Sequence, residues 1–102
     1  MDWDSTENKA LVQALRALKN DDEARRFLRD LMTENEITEF AKRFKAAEML
    51  SESIPYSTIE SVTGLSSTTV ARVSKWLNGS EGGYRTVIAR MHHHHRTLAR
   101  ED

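Results

Sequence analysis

Ile59-Glu60-Ser61-Val62-Thr63-Gly64-Leu65-Ser66-Ser67-Thr68-Thr69-Val70-Ala71-Arg72-Val73 carries the most specific pattern in the chain. It divides at Gly64 into two short helical segments, the second opening on hydroxyl residues. A helix-turn-helix needs apolar residues where its helices cross, a glycine at the corner, and small polar residues where the second helix meets a groove. Ile59, Leu65, Val70 and Val73 meet the first need, Gly64 the second, and Ser66, Ser67, Thr68 and Thr69 the third. Arg72 follows one turn later, and Lys75 almost a turn beyond it. Hydroxyls address base edges and phosphates, an arginine can grip a base or phosphate with two bonds, and a lysine acts as a point charge. The pattern predicts a chain that binds double-stranded DNA, with Ser66, Ser67, Thr68, Thr69, Arg72 and Lys75 as the contact residues. An ordinary helical hairpin would also place Ser66 or Ser67 as a cap.

Outward from this motif the apolar residues recur at three and four rather than two, which predicts helices throughout. Asp4 or Ser5 should open a first helix carrying Leu11, Val12, Leu15 and Leu18 on one side. Asn20-Asp21-Asp22 should cap a second, striped by Ala24, Phe27, Leu28, Leu31 and Met32. Thr33-Glu34-Asn35-Glu36 has the form of a capping box. It should start a third helix running to about Leu50, with Ile37, Phe40, Ala41, Phe44, Ala47 and Leu50 on its buried side. Ser51 to Pro55 should break that helix, because residues before proline avoid the helical region. Ser57-Thr58-Ile59-Glu60 reads as a second capping box opening the fourth helix, which stops at Gly64. The fifth helix should end at Asn78-Gly79 in a left-handed cap, and a sixth should run from Tyr84 to about Arg100. The expected fold is all-α, six helices in one domain over residues 1–102. Within it the helix-turn-helix covers about 56–78, and a C-terminal helix with a basic, histidine-rich tail about 84–102.

The bulk numbers fit this reading. At 102 residues the chain suits one small domain, and its 38% hydrophobic content argues against global disorder. It has no cysteine, so neither disulfides nor thiolate chemistry is available. Met1-Asp2-Trp3-Asp4 does not read as a signal peptide or an anchor, and no apolar run is long enough for a membrane span. A cytoplasmic setting without membrane partners is expected. The net charge of −1 is unevenly spread: residues 1–39 hold ten acids and six bases, residues 40–102 six acids and nine bases. A locally positive face can still attract phosphates. Short amphipathic helices bury their stripes poorly in one small monomer. A homodimer is therefore expected, a symmetry that also suits two half-sites on DNA.

Thr33-Glu34-Asn35-Glu36, Arg43, the helix-turn-helix, and Asn78-Gly79-Ser80-Glu81-Gly82-Gly83-Tyr84 together resemble the Trp repressor superfamily, most closely its YerC/YecD-type branch. The likeness spans most of residues 10–90. It implies an intertwined, all-helical homodimer that regulates transcription, commonly as a repressor. In tryptophan-responsive members a ligand carboxylate meets an arginine on the third and on the fifth helix, near a threonine. Thr33, Arg43 and Arg72 stand at the matching positions here and are the candidate ligand-binding residues. Those members carry glycine directly after the second arginine, where this chain has Val73. A branched side chain fills the space an indole would need, so L-tryptophan is not the expected ligand. The plainer expectation for Arg43 is a surface ion pair with Glu39 or Glu36. Ser57 and Glu60 replace basic residues that approach DNA in the tryptophan repressor, which points to a different target or pose; Lys42 and Lys45 are possible compensations.

His92-His93-His94-His95 on a helix points around the axis rather than along one chelating face, so no metal site is expected. Trp76, spaced helically from Val70 and Val73, should pack in the core or an interface. The serines lack a partnering base and the carboxylates are dispersed, so neither an enzyme nor a cofactor is implied. The alternatives kept beside a DNA-binding regulator are a protein-interaction module that retains the motif as scaffold, and a regulator gated by a small anion.

Overall fold

A computed structural model describes the backbone of residues 1–101 and the side chains of residues 1–92. It contains six helices: α1 (Thr6–Ala17), α2 (Asp21–Leu31), α3 (Glu34–Ser51), α4 (Tyr56–Thr63), α5 (Ser67–Leu77) and α6 (Gly83–Glu101). No strand occurs among the described residues. None of these helices is long and apolar enough to cross a membrane. The chain forms two compact units, Met1–Ile37 and Thr38–Asp102, divided within α3.

In the first unit local chemistry places every helix start. Ser5 Oγ accepts from the Asn8 N–H at 3.2 Å, and Asn20 Oδ1 accepts from the Glu23 N–H at 2.9 Å. Each satisfies an amide that the first helical turn leaves unpaired. The box at α3 forms as the sequence predicts. Thr33 Oγ1 accepts from the Glu36 N–H at 3.1 Å, and Glu36 Oε1 accepts from the Thr33 N–H at 2.9 Å. Packing is much weaker than capping here. Neither α1 nor α2 has a buried residue, and Leu11, Val12, Leu15 and Leu31 remain 41–50% exposed.

The second unit holds the core. Ala46 and Ala47 of α3, Ile59 of α4, Leu65 of the corner, Val70, Val73 and Leu77 of α5, and Ile88 of α6 form one buried cluster. Ile59, Val70 and Val73 are the largest side chains sealed completely from solvent. Full burial of such a side chain is worth about 1.5–3 kcal/mol, so the residues that mark the motif also hold this unit together.

Several local expectations are corrected. The second capping box does not form, because α4 begins at Tyr56 with Pro55 as its cap, and no side chain bonds there. Proline's restricted φ (−60°) already sets the helix start, which leaves Ser57 inside the first turn. Asn78 takes φ −94° and Gly79 is not left-handed, so the expected cap at the end of α5 is absent. Phe40 and Ala41 are exposed, while Ala46 is buried. The break expected over Ser51 to Pro55 is present, and within it Ser53 at φ 61° ends α3. The Ile54 N–H donates to the Met49 carbonyl at 3.1 Å and the Ser53 N–H to that of Leu50 at 3.0 Å. That pair of bonds closes a Schellman turn.

Candidate nucleic-acid interface

The corner between α4 and α5 is built by two neighbours. Gly64 takes φ 75°, and its N–H donates to the Glu60 carbonyl at 2.8 Å. A side chain in that conformation is strained, which explains glycine there. Thr63, buried in the core, secures the turn from inside. Its hydroxyl donates to the Ile59 carbonyl at 2.7 Å and accepts from the Leu65 N–H at 3.2 Å. The sequence reading passed over Thr63. Its signal was a threonine at a helix end, a residue type that bonds back to the carbonyl four before it.

Beyond the corner, Ser66 is the cap of α5. Its Oγ accepts from the Thr69 N–H at 3.2 Å, and its hydroxyl donates to Thr69 Oγ1 at 3.1 Å. Two of the predicted contact residues are thus tied into the cap, with Thr69 half-buried. Ser67, Thr68, Arg72 and Lys75 are exposed. At 3.6 residues per turn, Thr68, Arg72 and Lys75 share an arc of about 60°. Val70, Val73 and Leu77 lie on the opposite, buried side. The helix therefore presents a narrow hydroxyl-and-cation strip while its other face is locked in the core. Lys42 and Lys45 of α3 are also exposed.

One candidate ligand residue, Arg43, takes unexpected surroundings. Arg43 forms none of the ion pairs among the described residues. Its guanidinium carbon lies 5.3 Å from the Phe40 ring centre and 5.8 Å from that of Trp76, within cation–π range of both. Aromatic faces take the place of the expected carboxylate, and Arg43 Nε is buried without a hydrogen-bond partner. Trp76 is 47% exposed, not a core residue. Thr33 belongs to the first unit, where its hydroxyl serves the α3 cap. Arg72 stands on the exposed strip of α5, and Val73 is completely buried.

Beside α5 lies an open cavity of about 750 Å³, lined by Phe44, Trp76, Tyr84 and Val87 with Lys75 and Glu81 among its polar groups. The Phe44 and Tyr84 ring centres are 6.4 Å apart. Burial raises the Tyr84 hydroxyl pKa above its ordinary value, opposed by the positive charge of Arg43. Arg85 at the start of α6 was also missed from sequence. Its Nη1 donates to the carbonyls of Leu77 at 2.6 Å and Gly79 at 2.8 Å. Nothing local in the sequence signals a bond across the 78–82 link. No group of three or more metal-binding side chains gathers among the described residues. The side chains of His93, His94 and His95 lie outside them.

An all-helical chain with this corner and this exposed strip is a helix-turn-helix protein of the regulatory type. A sequence model of the Trp repressor protein family matches residues 6–92, and the chain belongs to that family. It is 38% identical over 81 residues to the uncharacterised protein YerC of Bacillus subtilis (strain 168), covering 79% of this chain and 78% of YerC. Two crystal structures are similar in fold. A TrpR-like protein from Eubacterium eligens ATCC 27750 shares 39% identity at a TM-score of 0.81, covering 87% of this chain and 92% of the other. A candidate Trp repressor from Staphylococcus aureus shares 30% identity at a TM-score of 0.82, covering 90% and 95%.

Proposed function

We propose that this protein is a sequence-specific DNA-binding transcriptional regulator, a repressor, acting as a homodimer in the cytoplasm. The observation that carries the reading is the exposed strip Thr68–Arg72–Lys75, set against a sealed Val70–Val73–Leu77 face on the helix after the Gly64 corner. A helix so anchored can lie in a major groove without disturbing the core behind it. Ser67 and Thr68 are placed for base edges, Arg72 for a two-bond grip on a base or phosphate, and Lys75 for the backbone. Ser66 and Thr69 act mainly by holding the helix start. Fluorescence anisotropy against genomic fragments at several salt concentrations tests this. Tight binding to a minority of fragments, weakening as salt rises, supports it; equal affinity for all fragments, or none at low salt, removes it.

The homodimer is supported by the apolar residues that α1 and α2 leave half-exposed, a surface a second copy would cover. Small-anion gating is favoured by one observation, the unsatisfied Arg43 Nε. Complete burial of Val73 supports the exclusion of L-tryptophan from such a site. A thermal-shift series with carboxylate and phosphate compounds, L-tryptophan included, addresses this reading. Stabilisation that Arg43→Gln abolishes is its expected result, and a flat response to every compound counts against it.

A further inference from the structure

We infer that Arg85 is a positioning residue for DNA recognition: by clamping the last carbonyl of α5 and that of Gly79 beyond it to α6, it sets the angle at which the Thr68–Arg72–Lys75 strip is presented. The inference rests on the DNA-binding reading and adds a determinant outside the binding strip.

Val73 and Leu77 seat the far half of α5 in the core, and the polar bonds at its two ends differ. Its start is fixed by bonds within residues 59–69, through Thr63 and Ser66. At its other end, Arg85 of α6 reaches back to the carbonyls of Leu77 and Gly79. A guanidinium there meets the last carbonyl of α5, at Leu77, and the Gly79 carbonyl just beyond it, near the negative end of the helix dipole, where a cation is favoured. Arg85 takes part in none of the ion pairs among the described residues, so its charge is directed to the α5 end. Its own backbone is anchored, because Ile88, on the next turn of α6, is buried in the core. Gly82 makes room for the clamp. It adopts φ 71°, and a Cβ there would lie 3.0 Å from Arg85 Nη2.

Geometry makes such a clamp consequential. The 11 residues of α5 span about 16 Å at 1.5 Å per residue. A tilt of about 10° pivoting on the corner shifts the far end by about 3 Å, as long as a hydrogen bond itself. Lys75 and Arg72 would lose register first, Thr68 least.

The test compares wild type with Arg85→Ala and Arg85→Lys. All are checked for native helicity, then titrated across salt against the tightest genomic fragment and against unrelated DNA. Amide exchange is followed at residues 77–82. For Arg85→Ala the expected result is faster exchange there and about tenfold weaker binding to the selected fragment, comparable with losing one base contact. Binding to unrelated DNA and the salt slope should stay as in wild type. Arg85→Lys should recover part of the loss. Unchanged selective affinity despite faster exchange overturns the inference. So does a salt slope lower by about 0.9, which marks a direct phosphate contact, or an equal loss on both DNAs. If wild type itself selects no fragment, the regulator reading has failed and takes this one with it; a variant-only failure touches the clamp alone.

Discussion

Arg72 and Lys75 sit on one exposed strip of α5, yet their chemistry separates them. Lysine on phosphate is a screened point charge, whereas a two-bond arginine grip discriminates between bases. Lys75→Ala should weaken binding to all fragments alike and lower the salt slope by about 0.9. Arg72→Ala should cost about 1–3 kcal/mol on the selected fragment and relax its sequence preference. Anisotropy titrations on selected and unrelated DNA distinguish the two. A pH effect belongs at this scale too. The Thr33 N–H, and secondarily the Thr33 side chain, hold the Glu36 carboxyl below its ordinary value of 4.5. Because folding lowers this pKa, its stabilisation is complete above 4.5 and is lost as pH falls through the lowered value. Thermal melts should therefore show Glu36→Gln less stable than wild type at neutral pH, the gap narrowing on acidification.

Two helix ends use the same backbone conformation with different residues. Gly64 takes φ 75° without strain, while Ser53 takes φ 61° with a side chain attached. Left-handed backbone costs a residue with a Cβ about 1–2 kcal/mol relative to glycine. Ser53→Gly should accordingly stabilise the protein, and Gly64→Ala should destabilise it by about 1 kcal/mol, both read from chemical denaturation. Added bulk is not the cause at the corner, since a Cβ on Gly64 would meet nothing within 4 Å. The loss there would come from backbone conformation alone. Loosening this turn should also weaken DNA binding, because the corner fixes the start of α5.

At the scale of the whole molecule, the first unit is unfinished as a packing problem. Its caps are in order, but Leu11, Val12 and Leu15 are exposed along α1. A surface substitution in a monomer usually changes stability by within about 0.5 kcal/mol. If a second copy covers this stripe, Leu15→Lys should instead lower both the sedimenting mass and the melting temperature. Wild type should also melt higher as its concentration rises. A monomeric mass across the concentration range would remove the homodimer from the proposed function.

Residue spacing and side-chain type alone determined the six helices, the caps at Asn20 and Thr33, a cap at Asp4 or Ser5 and another at Ser66 or Ser67, and the buried set Ile59, Leu65, Val70 and Val73, because caps and amphipathic stripes act over three or four residues. They also placed Arg72 and Lys75 on one face, as any regular helix must. Packing and chain path fixed what depends on partners distant in sequence or on a competing local stop. Pro55 displaced the Ser57 box, Ser53 ended α3, and Arg43 found the faces of Phe40 and Trp76 instead of a carboxylate. The Arg85 clamp belongs to this second group. It joins one helix to the end of another across a link whose path no periodicity encodes.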